Sequence, residues 1–235
     1  MGLPYSVYIF DFDGTVANTC EDVWGSVEYA CEQCSISLPY DIRRNAGNLA
    51  LPTKELYRLL SGKSDDREEK RFAELIRIHY RTMNTFPLTT LYPGMKEILD
   101  ELSGKTPCFL ASNKAEPALR RLIKNKQWGK YFDKAYGTLD DGSRIKTDMI
   151  QLIVENFPEK EKTDFIYIGD TYTDIVAARE NGIAAAGVTY GDGDAEKLMA
   201  ERPDYVAHTC RELYEFLICH GKHVPKSAID HRRLK

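Results

Sequence analysis

The sequence predicts an α/β fold: a Rossmann-like, doubly wound parallel sheet with a small all-helical domain inserted after its first strand. Two observations predict it. Short apolar runs rich in β-branched and aromatic residues alternate along most of the chain with helical patterns, which is typical of a parallel sheet. Between the first two of these runs, however, residues 18–91 contain helical patterns only. An insertion of that kind forms a second, smaller domain.

The strand-like runs define the core sheet, and helical patterns separate most of them. One helix is expected to begin at Pro93-Gly94-Met95 and another at Glu116-Pro117. Thr147 is expected to cap the helix that follows it, and the helix after Asp170 is expected to stop at Asn181-Gly182, a typical left-handed terminator. The predicted strands are Val7–Phe10, Pro107–Ala111, Phe165–Ile168, Ile183–Val188 and Tyr205–Ala207, with Tyr131–Tyr136 as a weaker candidate.

The inserted segment predicts three helices, Cys20–Gln33, Thr53–Leu60 and Asp65–Thr82. In the third helix, apolar residues recur at helical spacing and form one buried stripe. We therefore expect residues 1–17 and 92–220 to form the Rossmann-like core, residues 18–91 the inserted helical domain, and residues 221–235 a basic C-terminal tail.

Composition restricts the class of protein. The 235 residues are 43% hydrophobic and 29% charged, as in soluble globular proteins. A net charge of −4 gives no basic field for nucleic acid, and no apolar run approaches the ~18 residues that a membrane span needs. The N-terminus lacks a signal-peptide pattern, so we expect a cytoplasmic protein. Its cysteines should then be free thiols. We expect a monomer or a homodimer. Cys31-Glu32-Gln33-Cys34 has no second cysteine pair, so a metal or redox role is not expected there.

The first strand ends in two carboxylates, in the run Val7-Tyr8-Ile9-Phe10-Asp11-Phe12-Asp13-Gly14-Thr15. Charged groups beside a buried strand carry a desolvation cost, and two neighbouring carboxylates repel each other unless a cation or a shared proton intervenes. An Asp-Gly hairpin turn is the ordinary alternative, but no alternating strand follows. The pair therefore favours chemistry at the C-terminal edge of the sheet, where open α/β folds place their sites.

Three further strand or helix boundaries carry polar groups. Ser112 and Asn113 follow the second strand, Lys146 precedes a helical run, and Asp170 and Asp174 lie four residues apart at a helix start. Each has an ordinary explanation: a helix cap for Ser112, a surface position for Lys146, and a favourable helix dipole for the two acids. These separate explanations do not account for the occurrence of all these groups together, in chain order, along one predicted sheet.

Phosphoryl transfer requires this set of groups. Asp11 can attack phosphorus and form an aspartyl phosphate, and the oxygens of Asp11 and Asp170 suit Mg²⁺. Asp13 can protonate the leaving oxygen and then accept a proton from the hydrolytic water. Ser112 and Lys146 can stabilise the charge on the transferring group.

The motifs Asp11-x-Asp13-Gly14-Thr15, Ser112-Asn113, Lys146 and Gly169-Asp170-x-x-x-Asp174 resemble those of the haloacid dehalogenase superfamily, from Val7 to about Val206. The inserted domain resembles that superfamily's small helical cap, and the phosphoglycolate phosphatase-like enzymes are the most similar subgroup. Two positions depart from the family pattern. The third motif reads Lys146-Thr147 where relatives often have Lys-Pro, and Asn18 stands at a position that is often acidic.

The resemblance implies a role for each matching residue. Catalysis falls to Asp11, Asp13 and Lys146, and Mg²⁺ binding to the side chains of Asp11 and Asp170 and the backbone carbonyl of Asp13. Asp174 would be a further ligand or would orient a metal-bound water. Phosphate binding falls to Thr15, Ser112, Asn113 through its backbone N–H, and Lys146.

The expected function is hydrolysis of a small-molecule phosphate ester, with phosphoglycolate as one candidate substrate. Asp13 argues against the dehalogenases, which lack this carboxylate, and against phosphonate-cleaving relatives, which usually have alanine there. Two alternatives stay open: a sugar phosphomutase, which keeps both aspartates, and a catalytically inactive binding or regulatory relative.

The stretch Arg43-Arg44-Asn45-Ala46-Gly47-Asn48 is expected to form a polar turn in the inserted domain. Its two guanidinium groups suit bidentate contacts with a carboxylate or a phosphate. Arg43 or Arg44 could therefore read an anionic group of the substrate, although a pair of solvated charges explains them equally simply. At the active site, the spacing of Asp11 and Asp13 puts both on one side of an ideal strand. The chain must then leave strand geometry at Phe12 or Asp13, with Gly14 permitting the turn.

Overall fold

The computed structural model describes residues 3–139 and 141–219, which form two compact units. The first unit takes the chain up to Asn18 and again from Leu91 onward, and the second is Thr19–Thr90. The predicted basic tail, 221–235, lies outside the described residues. Within those residues, no helix combines the length and the apolar character that crossing a membrane requires.

The first unit contains a sheet of six parallel strands, which confirms the predicted fold class. Helices separate most of the strands along the chain. The order of strands across the sheet is β5-β4-β1-β6-β7-β8. The sheet strands are β1 Val7–Phe10, β4 Cys108–Ala115, β5 Lys134–Thr138, β6 Phe165–Gly169, β7 Ala184–Val188 and β8 Tyr205–Ala207; the helices are α5 Met95–Leu102, α6 Glu116–Asn125, α7 Lys146–Glu155, α8 Tyr172–Glu180, α9 Ala195–Ala200 and α10 Cys210–Tyr214. Two further short strands, β2 Ala17–Asn18 and β3 Thr90–Leu91, pair as a separate two-stranded sheet, and α1 to α4 belong to the second unit.

Strand β1 lies in the middle of the sheet and is buried on both faces. Val7 and Ile9 pack in one apolar cluster with residues of α7 and α8. Tyr8 and Phe10, which point to the opposite face, are equally inaccessible. The Tyr8 hydroxyl donates to the carbonyl of Leu217, 3.2 Å away. Burial on both faces explains why the strand is a continuous apolar run rather than an alternating one.

The register of the strands decides where the site forms. Phe10, the last residue of β1, lies opposite Leu110 of β4 on one side and Ile168 of β6 on the other. The residues that follow these three positions therefore meet at one edge of the sheet. The Asp11 amide donates to the Ile168 carbonyl at 2.8 Å, so the contact with β6 continues one residue beyond the strand.

Three elements of the first unit have boundaries that were wrong by two residues or more, and in the second unit the α-helix predicted over Asp65–Thr82 ends at Ile78. Strand β4 continues to Ala115, past the predicted end at Ala111, with a shift in its register to β5 between these two residues. The weaker strand candidate begins only at Lys134. Tyr131, its predicted first residue, instead ends a short 3₁₀ helix and is buried there, which explains why the run looked like a buried strand. Helix α7 begins at Lys146, because the side chain of Asp148 accepts the backbone N–H of Ile145; Ile145, not Thr147, is its N-cap. The helix after Asp170 does end as predicted, with Gly182 at φ 69°.

The second unit is helical, as predicted. Its helices are α1 Cys20–Cys34, α2 Tyr40–Arg44, α3 Thr53–Ser61 and α4 Asp66–Ile78, with a 3₁₀ helix at Ala46–Ala50 and a π-helical turn at His79–Met83. Trp24, Leu56, Tyr57 and Phe72 are central to its core.

The expected polar turn of the second unit is wrong in form, because Arg43 and Arg44 end α2 and the 3₁₀ helix follows. Side-chain bonds stabilise this arrangement: Asn48 donates to the Ile42 carbonyl at 2.8 Å, and Asn45 accepts from the Gly47 amide at 3.1 Å.

A buried carboxylate joins the two ends of the second unit. Asp22, near the start of α1, accepts hydrogen bonds from the backbone N–H and the hydroxyl of Thr89, both at 2.6 Å. The Leu88 amide donates to the other oxygen at 3.3 Å, and the Asn84 side chain donates to the Asp22 carbonyl at 2.6 Å. Bonds to an ionised acceptor are stronger than neutral ones, so Asp22 holds the returning segment against α1.

Candidate active site

The chain turns sharply after β1 and separates Asp11 from Asp13. Strand β1 ends at Phe10, as predicted, and the chain bends at Phe12. The Phe12 carbonyl then accepts hydrogen bonds from the amides of Val16 and Ala17, both at 3.0 Å. Gly14 has φ +77°, and a Cβ on it would lie 2.1 Å from Asp170 Oδ2. Glycine is therefore required there both by the backbone conformation and by the close approach of a neighbouring carboxylate.

Lys146, the first residue of α7, joins two of the predicted acids. Its ammonium lies 3.2 Å from Asp11 Oδ2 and forms a shorter ion pair with Asp174 Oδ1. All three side chains are buried. Burial opposes the charge on Lys146, but the two carboxylates outweigh this effect and raise its pKa, so the side chain stays cationic.

A second buried lysine, which sequence reasoning missed, binds Asp13. Lys114 Nζ lies 2.8 Å from Asp13 Oδ1, and the lysine side chain has no solvent exposure. Lys114 and Ser112 are two residues apart, which places them on one face of an extended strand. That alternation could have revealed the lysine, but the strand was predicted to end at Ala111.

Asp170 follows β6 and is held by three donors. Its Oδ1 accepts from the hydroxyl of Thr15 at 3.2 Å, and its Oδ2 accepts from the amides of Asp192 and Gly193 at 3.1 and 3.0 Å. A Cβ on Gly193 would lie 2.0 Å from the Asp170 carbonyl. The loop after β7 therefore approaches Asp170 as closely as it does because it carries glycine there. Thr15, predicted to bind phosphate, lies against Asp170 in this arrangement.

Asp174, on the first turn of α8, is completely buried and has both oxygens engaged. Oδ2 accepts from the amide and the hydroxyl of Thr171, at 2.9 and 2.7 Å. Oδ1 contacts Lys146 and the hydroxyl of Tyr167, the latter at 3.2 Å. The same hydroxyl donates to the Ala111 carbonyl at 2.7 Å and so connects β6 with β4. Tyr167 and Thr171 were also missed, since nothing in the sequence distinguishes them from core and capping residues.

Three of the predicted metal ligands form one acidic group. Asp11, Asp170 and Asp174 each offer a carboxylate oxygen, and these oxygens lie within 4.8 Å of one another. Burial, opposed by Lys146 and reinforced by Asp174 and Asp13, raises the pKa of Asp11 to about 6. Burial and the neighbouring Asp11 and Asp174 raise the pKa of Asp170 to about 8. The cluster is short of positive charge.

One oxygen of Asp11 is open. Oδ1 is buried, and no polar atom of residues 3–139 and 141–219 forms a hydrogen bond with it. A buried carboxylate oxygen without a partner is costly. Its position in a group of acids fits a hard divalent cation, which binds carboxylate oxygens.

The remaining predicted residues of the core lie on β4. Ser112 is buried, and its hydroxyl accepts from the Lys114 amide at 3.2 Å. Asn113 is exposed, and its carbonyl accepts from the Thr138 hydroxyl at 3.2 Å. Ser112 follows the position opposite Phe10 by two residues, so it belongs to the same sheet edge as Asp11.

The two arginines belong to the second unit and differ in their partners. Arg43 forms ion pairs with Glu21 at 2.9 Å and Glu28 at 2.6 Å. Arg44 is exposed and lies over the ring of Tyr40, 5.8 Å from its centroid. Within the described part of the chain, Arg44 has no ion-pair partner. The guanidinium of Arg43 is therefore already engaged, and that of Arg44 is not held by a carboxylate.

The edge of the sheet thus combines a buried carboxylate with an open oxygen, two more acids able to share a cation, two buried ammonium groups and a hydroxyl. These are the groups that attack, neutralise and hold a phosphoryl group.

A family model described as haloacid dehalogenase-like hydrolase matches residues 8–188. A phosphoglycolate phosphatase of Vibrio parahaemolyticus is 30% identical over 220 residues, which are 88% of this chain and 93% of that protein. A 5'-nucleotidase of Pseudomonas aeruginosa is 28% identical over 218 residues, 90% of this chain and 93% of the relative. A haloacid dehalogenase-like family hydrolase of Streptococcus pneumoniae shares the fold, with a TM-score of 0.75 at 23% identity over 91% of this chain and 98% of that one. The resemblance predicted from the motifs is confirmed, and the chain belongs to the haloacid dehalogenase-like hydrolases.

Proposed function

We propose that this protein is a Mg²⁺-dependent phosphatase that hydrolyses a small-molecule phosphate monoester through an aspartyl-phosphate intermediate on Asp11. The observation that carries the proposal is the state of Asp11. One of its oxygens is paired with Lys146, and the other is buried without a partner beside two more acids. A relative 30% identical over 88% of this chain is a phosphoglycolate phosphatase, which supports the same reaction class.

In the first chemical step, a carboxylate oxygen of Asp11 forms a bond to phosphorus while the bond from phosphorus to the ester oxygen breaks. Asp13 donates a proton to the departing oxygen. In the second step, Asp13 takes a proton from water as that water attacks phosphorus, and the bond to Asp11 breaks to release phosphate. Lys146 neutralises charge beside Asp11 during both steps.

Phosphate binding would fall to Ser112, the backbone N–H of Asn113 and Thr15, together with Lys146. A Mg²⁺ ion, held by Asp11, Asp170 and the carbonyl of Asp13, would supply positive charge that reduces repulsion between the nucleophile and an anionic substrate. Asp174 was expected to be a ligand or to orient a metal-bound water. Its four hydrogen-bond and ion-pair contacts favour the second of these roles over direct ligation, and they also fix Lys146 and the start of α8.

The first candidate substrate is phosphoglycolate, since a relative 30% identical over 88% of this chain is a phosphoglycolate phosphatase. The carboxylate of phosphoglycolate would need a cationic partner besides the phosphate site. Arg44 is the better candidate for that partner, since Arg43 is occupied by Glu21 and Glu28. A nucleoside 5'-phosphate is the second candidate, since a relative 28% identical over 90% of this chain is a 5'-nucleotidase. Arg44→Ala should raise KM for phosphoglycolate more than for phosphate esters without a carboxylate, and Arg43→Ala serves as its matched comparison.

The test is a Mg²⁺-dependent screen for phosphate release over small metabolites, comparing the wild type with Asp11→Asn. We expect activity on at least one monoester, its loss in Asp11→Asn, and retained binding of Mg²⁺ and a phosphate analogue by that variant. Asp41→Asn, which removes an exposed carboxylate of the second unit, is the control for loss of one charge. Residual turnover in Asp11→Asn would contradict the assignment of the nucleophile.

The same screen separates the alternatives. A phosphomutase would convert a phosphosugar into an isomer rather than release phosphate. A binding or regulatory relative would bind phosphate esters without turnover in the wild type.

A further inference from the structure

We propose that Lys114 is a positioning residue that holds the Asp13 carboxylate apart from Asp11 and directs it at the leaving group. The inference rests on the proposed phosphatase function. It adds a residue outside the motifs by which the site was predicted.

The contact itself is an ion pair of unequal burial. Lys114 Nζ lies 2.8 Å from Asp13 Oδ1, with a side-chain exposure of 0% for the lysine and 34% for the aspartate. The ammonium therefore approaches Asp13 from the protein interior, and the carboxylate keeps an accessible portion. This geometry fits an Asp13 carboxylate that Lys114 holds on its buried side and that exchanges a proton on its exposed side.

The interior position of the lysine is built by β4. The register of β4 shifts between Ala111 and Ala115, the segment that carries Lys114. The Ser112 hydroxyl accepts the Lys114 amide at 3.2 Å, and the Phe12 ring lies 5.8 Å from Nζ. A buried site beside a phenylalanine ring suits an apolar side chain, and an ammonium there is stable only when a counter-ion is held against it.

Two lysines thereby divide two carboxylates that are two residues apart. Lys146 forms an ion pair with Asp11 in the acidic group, and Lys114 of β4 forms an ion pair with Asp13. The two aspartates have different tasks in the proposed reaction, so their side chains must not exchange positions.

The leaving-group dependence of kcat/KM tests the inference, because kcat/KM reports the steps up to departure of the leaving group. An alkoxide needs a proton from Asp13 as it leaves, whereas p-nitrophenolate departs without one. We expect Lys114→Met to lower kcat/KM for an alkyl phosphate at least tenfold more than for p-nitrophenyl phosphate, within the 10²- to 10⁴-fold that general-acid catalysis contributes. Lys114→Arg should restore part of the difference, since it keeps the charge.

A second variant shows whether Lys114 acts through Asp13. Asp13→Asn should show the same selective loss on alkyl phosphates, and combining it with Lys114→Met should add little. Lys124→Met, which removes an exposed lysine of α6, controls for loss of one positive charge. Lys114→Gln provides a polar substitute of similar size if the methionine variant does not fold, as judged by circular dichroism.

The outcomes distinguish this inference from the proposed function. Equal losses on both esters would overturn it, since Lys114 would then bind phosphate or support the fold. Unchanged rates on both esters in Lys114→Met would overturn it as well, since Asp13 would then act without the lysine. A wild-type protein that hydrolyses neither ester would contradict the phosphatase proposal itself.

Discussion

Replacing Asp170 by asparagine should stabilise the metal-free protein and abolish its response to Mg²⁺. Burial and the neighbouring carboxylates of Asp11 and Asp174 raise the pKa of Asp170 from 3.8 to about 8. Asparagine cannot ionise, and its shape fits the site. Its oxygen can accept from the Asp192 and Gly193 amides, and its NH₂ group can donate to the Thr15 hydroxyl.

The sign and size follow from linkage. The folded state binds the Asp170 proton more tightly than the unfolded state, so stability from this group is complete below about pH 4 and falls as pH rises toward 8. At pH 7, about three pH units above the unfolded value, the ionised carboxyl favours the unfolded chain by about 4 kcal/mol. Removing that preference should raise Tm by roughly ten degrees for a chain of this size.

The assay is thermal unfolding in a chelator and in saturating Mg²⁺, at pH 5 and pH 7. In the chelator, Asp170→Asn should melt above the wild type, and the gap should widen from pH 5 to pH 7. Mg²⁺ at 100 times its Kd should stabilise the wild type by about 2.7 kcal/mol and leave the variant unchanged. Asp41→Asn should leave the melting temperature at its wild-type value both in the chelator and in Mg²⁺. The reasoning is refuted if metal-free Asp170→Asn melts at or below the wild type at pH 7.

Three further substitutions test other contacts. Gly193→Ala should weaken Mg²⁺ binding at least tenfold by calorimetry, because its Cβ would lie 2.0 Å from the Asp170 carbonyl. Tyr167→Phe should cost about 1–3 kcal/mol in chemical unfolding, since it removes the donor to the Ala111 carbonyl. Asp22→Asn should weaken its charge-assisted hydrogen bonds from Thr89, by about 1.5–3 kcal/mol, and speed hydrogen exchange of the Thr89 amide.

Each of these has a control or an outcome that contradicts it. Gly25→Ala, where a Cβ would meet nothing within 4 Å, should leave Mg²⁺ binding unchanged. Unaltered stability in Tyr167→Phe would mean that the Ala111 carbonyl finds another donor. For Asp22→Asn, exchange at Ile168 of the core strand β6 should not change, and a general acceleration there would show global rather than local loosening.

The sequence alone predicted most of the core and a set of candidate site residues at one edge of the sheet. A strand buried on both faces is a continuous apolar run, so β1 was predicted to the residue and β6 and β7 to within one. The half-buried edge strand β8 was also predicted to the residue. Parallel strands end at one edge of the sheet, so residues that follow such runs can be assigned to a common site without knowledge of the strand order. Asp11, Ser112 and Asp170 were predicted in this way, and the structure places them at one edge of the sheet.

Only the tertiary structure decided how those groups are paired. Lys114 and Asp13 are 101 residues apart, and Lys146 and Asp174 are 28 apart. Whether such side chains meet depends on the register of β4 against β1 and on where α7 begins, and neither follows from local pattern. The same holds for Tyr167, which looks like any core aromatic until its hydroxyl is seen against Asp174 and Ala111. The carboxylates could be proposed from the sequence because each follows a recognisable strand, whereas their pairing with two different lysines depends on long-range geometry.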